Sequence, residues 1–186
     1  LRDFFTRSTP PFTRVLLIES GSRRLFDMLV PGLFDIYGDQ LELDLVTCFA
    51  GTPQGFRGGA VYNVNDYRGR AEQKRLYREL SARNYLIAGI ICSGEPILTK
   101  WKWVLAGGLK SKVFVLNENC DYFWIDYGHT RTMTHFMLFR MGLTGASAIS
   151  TIARLIAFPF MLAYLILYAG FVHLRRKLRG RKLRTL

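Results

Sequence analysis

Eighteen consecutive residues, Leu155–Val172 (LIAFPFMLAYLILYAGFV), carry no charge, and seven Lys/Arg between Arg175 and Arg184 follow almost at once. At about 1.5 Å per residue a helix over this run is about 27 Å long, close to the hydrocarbon thickness of a bilayer. Only Arg154 interrupts the uncharged stretch back to Gly142. An apolar helix stopped by cations is the pattern of a membrane anchor whose basic end meets anionic head groups. The alternative is a buried core helix with a basic tail. Either way, the soluble part of the fold has to be built from what comes before.

Charge divides the chain at the same place. Of the net +12 over 186 residues, the first 126 residues contribute +2, from 16 Lys+Arg against all 14 acids. Residues 127–186 hold 10 Lys+Arg and no acid, which gives +10. With 49% hydrophobic and 22% charged residues, a disordered chain is excluded. Three cysteines are too few for a disulfide scaffold. The basic cluster has no interleaved aromatic residues and follows a lipid-like segment, so no nucleic-acid partner is expected.

The near-neutral part reads as alternating strands and helices. Arg14–Ser20 (RVLLIES) is a buried parallel strand, and Ser20-Gly21-Ser22 a tight turn. Arg23–Tyr37 has helical spacing, with Pro31-Gly32 expected to kink or split it. Leu41–Phe49 is a second strand, whose alternation of Leu with Glu42 and Asp44 suggests one exposed face towards a sheet edge. A Gly-rich loop over Ala50–Ala60 leads to a short strand at Val61–Val64. Arg68–Asn84 is a polar helix and Tyr85–Cys92 an apolar strand. Pro96 suits the first turn of a helix over Ile97–Leu109. Lys112–Asn117 is a further strand, and Glu118–Gly128 a polar-aromatic loop. This alternation predicts an α/β fold, a single Rossmann-like domain with a mostly parallel sheet, followed by a C-terminal membrane helix. The expected divisions are a lead-in over 1–13, the domain over 14–128, an interfacial helix or linker over 129–146, the membrane helix over 147–173 and a basic tail over 174–186. In such a sheet, ligands bind at the carboxyl ends of the strands. Neither G-x-G-x-x-G nor a P-loop motif occurs, so a standard dinucleotide or P-loop site has no support.

The run RVLLIESGSRRLFDMLVPGLFDIYGDQLELDLVTC resembles the opening of a bacterial family 9, heptosyltransferase-like glycosyltransferase. The stretch VYNVNDYRGRAEQKRLYRELSARNYLIAGIICSG resembles that family's next block, and the likeness covers roughly Arg14–Asn117. It implies the acceptor-binding half of an enzyme of the GT-B type. Such enzymes have two Rossmann-like halves, with the nucleotide-sugar bound by the second. Two departures stand out. The family's catalytic Asp lies just after the Ser/Gly turn, where this chain has Arg23, Arg24 and Leu25; the nearest Asp is Asp27, inside the helix. The apolar segment also stands where the donor-binding half is expected. The first residue is Leu1 rather than Met, as expected of a chain cut short at its N-terminus.

Three groups of residues are candidates for chemistry. Ser20, Gly21, Ser22 and Arg23 end the first strand; hydroxyls and turn amides there can hold a phosphate or a sugar while Arg23 neutralises charge. Alternatively Ser22 caps the helix and the arginines are surface residues. Ser93, Gly94 and Glu95 end a buried strand, and Glu95 is either a general base or a first-turn carboxylate favoured by the helix dipole. Asn117, Glu118, Asn119, Asp121, Asp126 and His129 form the densest polar group. These either position hydroxyls, act as acid and base or hold a divalent ion, or they form a linker whose aromatic residues sit at a membrane interface. The resemblance implies direct transfer with a carboxylate activating the acceptor hydroxyl, and Glu95 and Asp126 are the candidates for it. Cys48, Cys92 and Cys120 have no C-x-x-C spacing, and the histidines form no ligand pair, so no zinc and no cofactor are expected. His129–Gly142 is expected to be an interfacial helix with Met133, Phe136, Met137 and Met141 on one side.

The function expected is that of a membrane-associated glycosyltransferase-like protein acting on a lipid-linked or cell-envelope saccharide. The alternative is a non-catalytic anchoring subunit that recruits a soluble donor-binding chain. Expected partners are membrane lipid through its anionic head groups, a lipid-linked sugar acceptor and a second glycosyltransferase chain. The expected location is the bacterial inner membrane, with the α/β domain on the cytoplasmic side. A cytoplasmic basic tail places the domain outside if the segment simply spans. Free cysteines and a nucleotide-sugar donor place it in the cytoplasm, as does the lack of a legible signal peptide. A re-entrant bend at Pro159 reconciles the two; otherwise the segment spans and the rule is broken, or a preceding piece directs export.

Overall fold

The structure, a computed structural model, describes residues 4–5, 8–119, 121–145 and 147–182. Cys120 and the last four residues of the basic tail lie outside the described residues, as do Leu1–Asp3, Thr6 and Arg7 of the lead-in and Ala146. The chain divides into two compact units, Leu1–Met133 and Thr134–Leu186.

The first unit is an α/β domain on a six-stranded sheet. In chain order its elements are β1 (Arg14–Ile18), α1 (Arg23–Tyr37), β2 (Glu42–Thr47), β3 (Val61–Asn63), α2 (Arg70–Ala82), β4 (Ile87–Ile91), α3 (Thr99–Gly108), β5 (Lys112–Leu116) and β6 (Tyr122–Trp124). The strand order is β3-β2-β1-β4-β5-β6, with every pairing parallel except that of β5 with β6. The chain works outward from β1 to β3, then crosses back and works outward from β4. The order therefore reverses between β1 and β4.

Both faces of the central strands are buried, which is why β1, β4 and β5 are almost wholly apolar. Val15, Leu17, Leu43, Leu45, Ile87 and Phe114 meet the inner stripe of α1, made of Leu25, Phe26, Val30, Leu33 and Phe34. Right-handed crossovers put α2 and α3 on the opposite face. There Leu76, Leu80, Leu105 and Ala106 are buried, and Tyr77 of α2 lies against Gly108 of α3.

Several sequence expectations change. α1 runs through Pro31 as one helix, because the residues on both sides of it belong to a single buried stripe. β2 is an interior strand, flanked by β1 and β3. Its Asp44 is only 6% exposed, taking hydrogen bonds from the Tyr85 hydroxyl (2.5 Å) and the Ala60 amide (2.6 Å) and pairing with Arg83 (3.4 Å). Burial and that bond to Asp44 push the Tyr85 hydroxyl far above its ordinary value. The expected loop over Glu118–Gly128 contains β6, which carries the chain back down the sheet.

Helix α4 (Thr130–Arg140) spans the boundary between the units and buries no residue. Met133, Phe136 and Met137 share one face by their i, i+3, i+4 spacing, while Leu138 and Phe139 are exposed elsewhere on the helix. The second unit is dominated by α5 (Ser147–Lys182), 36 residues long. Within it Ala148–Arg175, with a mean hydropathy of 2.2, is long and apolar enough to cross a membrane, and none of its most apolar window is buried. The helix continues through Pro159 without interruption, so the bend that a re-entrant path needs is not found there. Tyr164 and Tyr168 stack one turn apart on its surface.

Candidate functional site

The reversal of strand order brings two of the three candidate groups together. β1 ends at Ile18 and β4 at Ile91, side by side, and the turns that follow them lie against each other. Ser20 is wholly buried and joins the two strand ends: its hydroxyl donates to the Ile91 carbonyl (2.9 Å) and accepts from the Ile91 amide (3.0 Å). Gly21 is the point of closest approach. A Cβ there would lie 2.4 Å from Ile91 Cγ2 and 3.0 Å from Ser93 Oγ, so the turn closes only because no side chain is present. Ser22 takes the N-cap position of α1 without a side-chain capping bond.

Arg23 is already engaged. Its guanidinium pairs with Glu19 through both carboxylate oxygens, and it lies over the Phe49 ring at 5.3 Å. Glu19 is fully buried at the end of β1 and also accepts a short hydrogen bond from the Thr47 hydroxyl at the end of β2. Burial lifts the Glu19 carboxyl above its ordinary value, against the opposing pull of Thr47 and Arg23. Burial likewise raises the thiol of neighbouring Cys48, reinforced by Glu19.

On the β4 side, Ser93 has a buried hydroxyl with no hydrogen-bond partner. Gly94 and Glu95 are exposed in the bend before α3. Pro96 does not enter that helix; the N-cap is Leu98, in a left-handed conformation. From α3 comes a residue that sequence reasoning missed. Lys102 is only 5% exposed, and its ammonium donates to the Ile91 carbonyl at 3.2 Å, the same oxygen that Ser20 uses. Among the described residues no carboxylate pairs with it. A buried ammonium normally has a counter-charge. The signal for it lay in the spacing: Lys102 is in register with Leu105, Ala106 and Leu109, all buried.

The third group splits in two. Asn117, Glu118, Asn119 and Asp121 follow β5 at the same edge, but they make the β5–β6 hairpin. Asn117 Oδ1 accepts from the amides of Asn119 and Asp121, both at 2.9 Å, and its side-chain amide donates to Asp121 (3.2 Å). Asp126 and His129 were expected at this edge and are not there, because the antiparallel β6 returns the chain to the amino edge. Asp126 is 1% exposed and pairs with the fully buried Lys112 at 3.0 Å, at the beginning of β5. His129 Nδ1 contacts its other oxygen at 2.7 Å, and the His129 amide donates to that oxygen as well. Burial alone would raise the Asp126 carboxyl; the hydrogen bonds and charges of His129 and Lys112 outweigh it and hold the group below its ordinary value. Asp126 and Glu95 therefore belong to opposite edges of the sheet.

Among the described residues no three His, Cys, Asp or Glu side chains come together in a way that could hold a metal ion. The carboxyl edge between β1 and β4 thus offers an exposed carboxylate (Glu95), an unpartnered hydroxyl (Ser93), a buried cation (Lys102) and a side-chain-free turn (Gly21). That is a set for binding hydroxylated or anionic groups, with one carboxylate placed to take a proton. No protein-family model, curated protein or solved structure matches the chain.

Proposed function

We propose that the chain is a membrane-anchored, Rossmann-like α/β protein of the glycosyltransferase type. Its carboxyl edge between β1 and β4 receives a lipid-linked or cell-envelope saccharide. The observation that carries this is the reversal of strand order at β1 and β4, the position where open α/β sheets bind ligands, with the unpartnered Ser93 hydroxyl and the buried Lys102 ammonium gathered there. The exposed apolar helix α5 supports the anchor, and one α/β domain corresponds to the acceptor half that the sequence resemblance implies. In this reading Glu95 takes the proton of the attacking acceptor hydroxyl as that oxygen bonds the sugar's anomeric carbon and the bond from this carbon to the nucleotide phosphate breaks, the nucleotide leaving with the electron pair. Ser93 and the turn amides orient the acceptor. Lys102 offsets negative charge that the saccharide brings.

The test is transfer of labelled sugar from nucleotide-sugars into a membrane lipid extract by the full chain in detergent. Glu95→Gln is expected to lower the rate about 10²-fold or more, as for loss of a general base, with the melting temperature unchanged. Undiminished transfer by this variant removes Glu95 from the mechanism.

A specific observation favours a second reading, the anchoring subunit. Glu19 and Asp126 are both committed to buried ion pairs, which leaves Glu95 with little support for catalysis. In that case the full chain transfers nothing alone, and a second chain that binds nucleotide-sugar co-purifies with it from native membranes. Purification that yields neither transfer nor such a chain counts against both readings.

A further inference from the structure

We infer that the groove between α2 and α3 is a docking face for an anionic lipid surface, an inference that rests on the membrane-anchor reading above. The groove holds about 830 Å³. From α2 it is lined by Arg70, Lys74 and Arg78, spaced i, i+4 and i+8 along one stripe, with Tyr77 beside them. From α3 come Lys100, Trp101 and Val104. Four cations thus face one groove and no carboxylate lines it. Glu72 and Glu79 of α2 are outside the lining, and Glu72 is held by Arg75 at 3.5 Å.

Apolar exposure coincides with the charge. Val104 of the groove lining is 53% exposed, and the neighbouring Trp103, outside the lining, is 51% exposed with the Lys102 ammonium 5.9 Å from its ring centroid. The indole beside the basic stripe is that of Trp101, half-buried in the groove. A bilayer interface accommodates both, because indoles settle at head-group level and Lys/Arg are drawn to acidic lipids. Charge complementarity with an anionic leaflet and the interfacial preference of tryptophan select the same occupant. The domain would lie with α2 and α3 against the lipid, held there by the groove as well as by the anchor.

The tryptophans provide the probe. The chain has three, Trp101, Trp103 and Trp124, and α5 contains none. The full chain is incorporated into vesicles containing phosphatidylcholine brominated near the glycerol end of its acyl chains, with or without about one-third phosphatidylglycerol. In the Trp124→Phe variant, anionic vesicles are expected to quench the remaining fluorescence about twofold, through indoles held at the interface. Pure phosphatidylcholine, or the triple change Arg70→Gln, Lys74→Gln and Arg78→Gln, is expected to relieve most of that quenching. If Trp124→Phe fails to fold, the difference between the unaltered chain and W101F/W103F reads the same indoles. A chain that floats with anionic vesicles but keeps its fluorescence overturns the docking face and leaves the anchor standing. Fluorescence that answers to a single-stranded oligonucleotide and not to the vesicles also overturns it, in favour of nucleic acid. A chain that does not float overturns both.

Discussion

The two edges of the sheet handle charge in opposite ways. At the amino edge every buried charge described above has a partner: Lys112 has Asp126, Asp126 has His129 as well, and Asp44 is shared by Tyr85, Arg83 and the Ala60 amide. At the carboxyl edge the Glu19–Arg23 pair is closed, but Lys102 has the Ile91 carbonyl and the face of the Trp103 ring in place of a carboxylate, and Ser93 Oγ has no hydrogen-bond partner. Folding alone accounts for the first arrangement, because unpaired buried charge is costly and pairing removes most of that cost. It does not account for the second. Unsatisfied polar groups where a parallel sheet reverses its strand order are what a ligand would complete.

Substitutions can break or sharpen this contrast. The largest effect is expected at the amino edge. Asp126→Ala removes the carboxylate paired with the buried Lys112 ammonium and is expected to cost about 3–5 kcal/mol, measured by chemical denaturation in detergent. A variant as stable as the unaltered chain would mean that water reaches Lys112. The pH dependence follows from the direction of the shift. With its folded value held low, Asp126 contributes stability that is present above the ordinary Asp value of 3.8 and is lost as pH falls through the folded value. The stability margin over Asp126→Asn should therefore be full at neutral pH and shrink only in strong acid.

Gly21→Ala comes next, at about 1–3 kcal/mol, because its Cβ would meet Ile91 Cγ2 at 2.4 Å. This loss belongs to packing between the two turns and should appear without any ligand. Tyr85→Phe removes the hydroxyl bonded to Asp44 and is expected to cost about 1–1.5 kcal/mol in the same measurement. The smallest effect is expected at the carboxyl edge. Lys102→Met should leave the protein within about 1 kcal/mol of its starting stability, or raise it, since the substitution removes a buried charge and leaves no partner charge unpaired. A loss at Lys102 as large as that at Asp126 would erase the difference between the edges.

Much of the scaffold was legible in the sequence because buried parallel strands leave a plain mark: unbroken apolar runs such as RVLLI and IAGII. The carboxyl edge between β1 and β4 was legible too, since the turns after the first and fourth strands follow from the order of elements. What sequence could not supply was direction. YFW and its flanking residues look like a loop until β5 pairs with them in antiparallel fashion, and that pairing moves Asp126 and His129 to the far edge. The alternation in LELDL looked like an exposed face, yet Asp44 is buried because a tyrosine and an arginine about forty residues away reach it. Long-range partners of this kind leave no periodic trace. Lys102 is the converse case: its place in a buried helical stripe was visible, but only the fold shows that its neighbour is the end of β4 and that it has no counter-charge.

The central claim is that ligand enters at the carboxyl edge between β1 and β4. Hydrogen–deuterium exchange on the full chain, with and without a lipid-linked saccharide extract, tests it most directly. Slower exchange at residues 20–23 and 93–95, with no change at residues 125–129, is the result expected. Protection at residues 125–129 with residues 20–23 and 93–95 unchanged would contradict it.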